Sequence, residues 1–182
     1  MEREKQRLRK LAGFNALVPG SRLPIVKISP HDWSTQEAIF SVIEAIGSRI
    51  LVLCHGHSYP KRPYLPDKPV IYLDLNPVAR PDIIGDIRNT SFMARFPDNY
   101  FDEVYLTYMP PPSPFSKGNL NIYYGVHRLL KPGGKLKSLY IYQMLARNPS
   151  TTKEMIAKQI KDSTKLIFAD AVLSGVMVVF IK

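Results

Sequence analysis

The feature that most constrains this chain is a series of short apolar runs between Ile50 and Gly134, each closed by a polar or turn-forming group. Arg49 to Cys54 runs into His55-Gly56-His57-Ser58. Val70 to Leu75 carries Asp74, Ile83-Ile84 precedes Asp86, Phe101 runs to Tyr108, and Leu130-Lys131-Pro132-Gly133-Gly134 closes the series. Apolar runs this short and continuous fit strands buried on both faces, the habit of parallel sheets covered by helices. In such sheets ligands sit beyond the carboxyl ends of the strands, so the polar residues found there are the candidates for chemistry.

Helical patterns separate the strands. Ser34-Thr35-Gln36-Glu37 has capping-box spacing, and Ile39, Phe40, Val42, Ile43 and Ile46 follow at helical intervals until Gly47. Leu120 to Leu130 presents Ile122, Tyr123, Val126, Leu129 and Leu130 in the same way, and Pro132-Gly133-Gly134 is expected to stop that helix before a fifth strand running through Leu139 and Tyr142. A helix near Thr152 to Lys161 and two apolar strands, Lys165 to Val172 and Val176 to Ile181, complete the chain. Their tight join at Ser174-Gly175 makes that pair antiparallel. The expectation is an α/β, doubly wound, mostly parallel sheet with one reversed edge pairing. Pro60, Pro63, Pro66 and Pro69 make the first crossover short or distorted. Residues 1–30 read as an amino-terminal helix and extended arm, and residues 31–182 as the folded domain, because Pro19, Gly20, Pro24 and Pro30 break regular structure between them.

Composition narrows the setting. A chain of 182 residues, 45% apolar and 22% charged, buries a substantial core as one domain. The single cysteine, Cys54, excludes an internal disulfide framework, and with no signal-peptide pattern or bilayer-length apolar run the expectation is a cytoplasmic protein without a membrane span. The net charge of +10 is concentrated late: residues 128–182 hold ten Lys or Arg against three Asp or Glu. That asymmetry suits a nucleic acid or another anionic partner, and equally a solvated lysine-rich face.

A carboxylate at the end of a second strand offers two acceptor oxygens to a ribose, and Asp74 stands there. Asp86, after the third strand, can accept from an exocyclic amine, with Ile87 packing on a ring face, and Gly56 lies in the first turn, where close backbone approach is needed. Together these residues describe a nucleoside pocket.

At these positions the sequence resembles the class I S-adenosylmethionine-dependent methyltransferases. The resemblance covers roughly residues 34–182 and rests on Ile50 to Gly56, Tyr72-Leu73-Asp74-Leu75-Asn76-Pro77, Pro81-Asp82-Ile83-Ile84-Gly85-Asp86, Phe96 to Val104 and Leu129 to Gly134, taken as an ordered set. It implies a Rossmann-like, seven-stranded sheet with an antiparallel last strand and S-adenosyl-L-methionine as cofactor. It further implies that Asp74 holds the ribose, that Asp86 and Ile87 contact adenine, that Gly56 lies near the methionine portion, and that a methyl group passes to an unidentified acceptor. The first motif departs from the family pattern of an acid, an apolar residue and Gly-x-Gly-x-Gly, since Val52 to Ser58 keep one of three glycines and no acid. The alternative expectation is therefore a catalytically inactive methyltransferase-like binding or scaffold protein with a basic surface.

Other readings compete for the same residues. Tyr108 and His127 are candidate acids or bases, each equally readable as a packing or helix-surface residue. Tyr108 opens Met109-Pro110-Pro111-Pro112-Ser113-Pro114, which departs from the Asp/Asn-Pro-Pro-aromatic motif of amino-methylating enzymes and reads as a rigid capping loop. Gly56-His57-Ser58-Tyr59-Pro60 imitates a nucleophile elbow with Pro60 in place of the last glycine, and His127 is the histidine downstream. Cys54, His55 and His57, with His31 or His127, have ligand chemistry but lack a second spaced pair, so no metal site is expected. An oligomer is compatible with an arm that reaches a second subunit.

Overall fold

The computed structural model describes residues 35–54, 68–107, 117–139, 152–165, 167–174 and 177–182. The amino-terminal arm, the turn holding Gly56, the proline-rich first crossover, the Tyr108 to Pro114 loop and Tyr142 lie outside the described residues.

The first described helix, α1 (Gln36–Ile46), starts one residue later than a Ser34 capping box implies: the Thr35 side chain accepts from the Ala38 N–H at 3.2 Å, with Glu37 in the first turn. A threonine oxygen aimed at the N3 amide satisfies one of the helix's orphan donors, which is what an N-cap is for. The helix ends at Gly47, whose φ of 67° lets its N–H return to the Ile43 carbonyl at 2.9 Å. Ile39, Val42 and Ile43 are its buried stripe.

The strands β1 (Ile50–Leu53), β2 (Ile71–Asp74), β3 (Ile83–Ile84), β4 (Phe101–Leu106), β5 (Leu130–Ser138), β6 (Asp170–Ser174) and β7 (Met177–Ile181) form one seven-stranded sheet in the order β3-β2-β1-β4-β5-β7-β6. The pairs among β1 to β5 are parallel, and β7 runs antiparallel to both β5 and β6. This is the expected Rossmann-like, doubly wound sheet with its antiparallel last strand.

Register divides the sheet's faces. Leu51 stands beside Ile71 and Val104, Val104 beside Leu136, and Leu136 beside Phe180. This row is wholly buried, with α1, α2 (Thr90–Met93) and α3 (Lys117–Leu129) contributing to the same core. Ile122, Tyr123 and Val126 of α3 are inaccessible, and Tyr123 meets Phe180 edge-on at 5.9 Å between centroids. Ile50, Val52 and Tyr105 belong to the opposite face, where they form a separate small cluster with Val70 and Tyr72.

Two expected boundaries are corrected. Pro132-Gly133-Gly134 does not separate α3 from β5: the strand begins at Leu130 directly after the helix, and the Pro-Gly-Gly segment is an irregularity within it, where the pairing to β4 shifts between Phe101 and Glu103. Lys165, Ile167 and Phe168 are not strand either. The fourth helix, α4 (Lys153–Thr164), runs on to Thr164, and the N–H groups of Ile167 and Phe168 both turn back to the Thr164 carbonyl at 2.8 and 3.1 Å. Ile167 and Phe168 are buried as turn residues, so their apolar character reported burial and not conformation.

No helix among the described residues is long and apolar enough to cross a membrane.

Candidate nucleoside site at the strand ends

The order β2-β1-β4 puts three strand ends side by side at the point where the chain's winding reverses, and the site is built from the residues that finish them. Cys54 follows β1 in the left-handed region at φ 54°, a conformation uncommon for a residue with a Cβ. Its N–H donates to the Leu73 carbonyl of β2 at 2.9 Å. From β4, the Thr107 hydroxyl bonds to the Cys54 carbonyl at 2.7 Å and to the Leu53 carbonyl at 3.1 Å. A buried hydroxyl therefore stitches β4 to the first residue after β1. Sequence reasoning missed Thr107, although its position just past an apolar run was the available signal.

Asp74 ends β2 and is 8% exposed. Its Oδ1 accepts from the Asn76 N–H at 2.9 Å, and its carbonyl accepts from the Gly85 N–H at 3.0 Å, which ties the end of β2 to the residue before Asp86. Gly85 is required by close approach: a Cβ there would lie 2.1 Å from Cζ of Phe92, whose ring is buried edge-on against Phe96. The glycine lets Phe92 pack under the turn and sets where Asp86 emerges.

Asp86 is partly exposed and already engaged. Arg88 donates to both carboxylate oxygens, Nε to Oδ1 at 2.9 Å and Nη2 to Oδ2 at 2.8 Å, and the Arg88 N–H adds a further bond to Oδ1 at 2.9 Å. These side-chain hydrogen bonds hold the carboxyl below its usual range against the opposing effect of burial. Ile87 between them is turned into the core. The Cys54 thiol senses the same neighbourhood: burial first, then the charges of Asp74 and Asp86, push its pKa up to about 12, with Arg88 opposing. Cys54 is accordingly a neutral thiol and no nucleophile.

The structure thus brings Cys54, Asp74, Asp86 and Arg88 into one electrostatic neighbourhood. It does not bring His127 there. That residue lies in the last turn of α3, and Leu130, at the start of β5, pairs with Phe101, the first residue of β4, so His127 sits where strands begin. Its ring packs edge-on against Phe168 at 5.3 Å, and burial, then the charge of Lys182, keep its pKa below the ordinary value. Gly56 and Tyr108 are outside the described residues, as are His31, His55, His57 and Ser58. Among the described residues no group of three His, Cys, Asp or Glu side chains has metal-binding geometry.

No protein-family profile matches the chain, and no curated protein does. Among solved structures it is similar to the aminoglycoside resistance methyltransferase NpmB1, at 16% identity over 81% of this chain and 93% of that one, with a TM-score of 0.49. It is also similar to a 16S rRNA (adenine(1408)-N(1))-methyltransferase mutant from Catenulisporales acidiphilia, at 14% identity over 90% and 94% of the two chains, TM-score 0.46. A third similar structure is a putative S-adenosyl-L-methionine-dependent methyltransferase from Methanococcus maripaludis, at 13% identity over 99% and 90%, TM-score 0.47.

Proposed function

We propose that this chain is an S-adenosylmethionine-dependent methyltransferase acting on an acceptor not yet identified. The observation that carries the reading is Asp74: a nearly buried carboxylate at the end of β2, beside the β1 turn and anchored through its own carbonyl to the segment that presents Asp86. A carboxylate so placed suits the paired hydroxyls of a ribose. At the adenine end the fit is conditional, because Arg88 holds both Asp86 oxygens and an exocyclic amine bonds there only as that exposed ion pair opens. Exposed pairs of this kind are worth little, so opening is cheap. Such a cofactor, when bound, supplies an electrophilic methyl group. This chain's residues orient the nucleoside through Asp74, join the ends of β1 and β4 through the Thr107–Cys54 bond, and exclude water through the apolar strand ends.

A second reading, a methyltransferase-like binding module without cofactor, is favoured by the Asp86–Arg88 pair and by Cys54, which carries a side chain at a left-handed φ of 54° directly after β1. One experiment separates the two. S-adenosylhomocysteine at about 100 times its dissociation constant adds about 2.7 kcal/mol, which raises the melting temperature of a chain this size by roughly 5–10 °C. That shift, lost in Asp74→Asn, is the expected outcome. Calorimetry that detects no heat with either S-adenosylmethionine or S-adenosylhomocysteine on folded protein leaves the scaffold reading in possession.

A further inference from the structure

A second site lies where the strands begin, on the face opposite the main helical core. There a groove of about 620 Å³ opens between the starts of β1, β4 and β5 and the segment entering β2. Five cations line it: Arg49, Lys68, Lys131, Lys135 and Lys137. Two acids share the lining. Asp102 pairs with Lys131, and Glu103 pairs with Lys137 at 2.9 Å. Glu103 Oε2 also accepts from the Tyr105 hydroxyl at 2.9 Å, and the Lys137 ammonium donates to that hydroxyl at 2.9 Å. This triangle is the groove's fixed floor, and with the Asp102–Lys131 pair it accounts for both negative charges. Arg49, Lys68 and Lys135 have no carboxylate partner among the described residues, and all three are exposed.

The three surplus charges lie across the sheet, not along one strand. Arg49 precedes β1, Lys68 precedes β2, and Lys135 stands on β5 beside Glu103 of β4. From β2 to β5 in the order β2-β1-β4-β5 is three strand spacings, roughly 14 Å, the reach of two to three phosphates of an extended strand. Among the described lining residues no ring is offered for base stacking: Tyr105 is buried beneath Lys137, and Arg49 already lies over Tyr100 at 4.6 Å. Exposed cations with no free aromatic beside them engage backbone phosphates without stacking bases, contacts that carry no sequence information.

We propose that this groove binds the phosphates of an extended nucleic-acid strand, independently of sequence, at the end of the sheet opposite the nucleoside site. Single-stranded binding then falls with salt, each contacted phosphate contributing about −0.7 to the slope of log affinity against log salt concentration. The test is fluorescence anisotropy on the full chain with a labelled 12-nucleotide oligouridylate and no cofactor present. Lys68→Gln/Lys135→Gln, checked for an unchanged melting temperature, is expected to lower affinity at least tenfold and to make the slope shallower by about 1.4. Charge reversal, Lys68→Glu/Lys135→Glu, lowers affinity further. Lys158→Gln/Lys161→Gln on α4, away from the groove, leaves affinity within twofold. Competition with sodium tripolyphosphate checks the occupant: weak displacement is expected for a polynucleotide site, and displacement as strong as that by unlabelled oligouridylate assigns the groove to free polyphosphate and overturns the nucleic-acid proposal. Groove variants that bind as tightly as the parent, or a parent that binds no oligouridylate at low salt, overturn the proposal. Because no cofactor enters the assay, its outcome is separate from that of the Asp74 experiment.

Discussion

Gly85 shows how one missing side chain organises the site. With its would-be Cβ 2.1 Å from the Phe92 ring, Gly85→Ala must displace a buried aromatic, and overpacking of this kind costs about 1–3 kcal/mol. The increment is expected in urea unfolding of the single variant and expected to vanish in a Phe92→Ala background, because neighbours that share a clash are not additive. An increment that survives there places the strain elsewhere. The Pro-Asp-Ile-Ile-Gly-Asp segment was legible in the sequence as a strand and its acid, whereas the reason for its glycine was not. Phe92 is seven residues away, and only folding of α2 sets its ring against Gly85. Arg88 was illegible for a similar reason: an arginine two residues past an acid pairs with it only when the turn curls back.

Elements declared themselves where periodicity, caps and breakers agreed, as in α1, and misled where apolar character stood alone. Thr35 caps α1 although the spacing of Ser34 and Glu37 favours Ser34. Thr35→Ala is therefore expected to cost about 1 kcal/mol in chemical unfolding and Ser34→Ala only a few tenths. Equal costs for the two would return the cap to Ser34. Leu130 and Phe168 mark the limit of pattern reading. The helical stripe of α3 runs to Leu129, and Leu130 passes without a turn into β5, since pairing with Phe101 outweighs the Pro-Gly-Gly signal that follows. Phe168 is buried by the Phe180 ring at 5.0 Å while outside any strand.

Across the whole molecule, acid titrates the groups that folding has tuned. His127 has a folded pKa below its ordinary value, so the unfolded chain binds its proton first and stability falls as pH drops below about 6.5. Asp86 and Glu103 are held below the usual carboxylate range, Asp86 chiefly by Arg88, and Glu103 by Lys137 and Tyr105 prevailing over burial. Their stabilisation is present above about pH 4 and is lost as pH falls through the folded values. Urea midpoints measured from pH 7 to 5.5 are expected to fall less steeply in His127→Gln than in the parent, and parallel slopes would remove His127 from this account. The sequence by itself determined the sheet's class, the reversed final pairing and the carboxylates at the strand ends, because apolar periodicity, breakers and short connections act locally. Tertiary structure alone decided that Arg88 occupies Asp86, that Thr107 pins Cys54, that His127 lies far from both, and that lysines separated along the chain converge on one groove. Those outcomes depend on which strand ends a parallel sheet sets side by side, a relation between residues far apart in sequence.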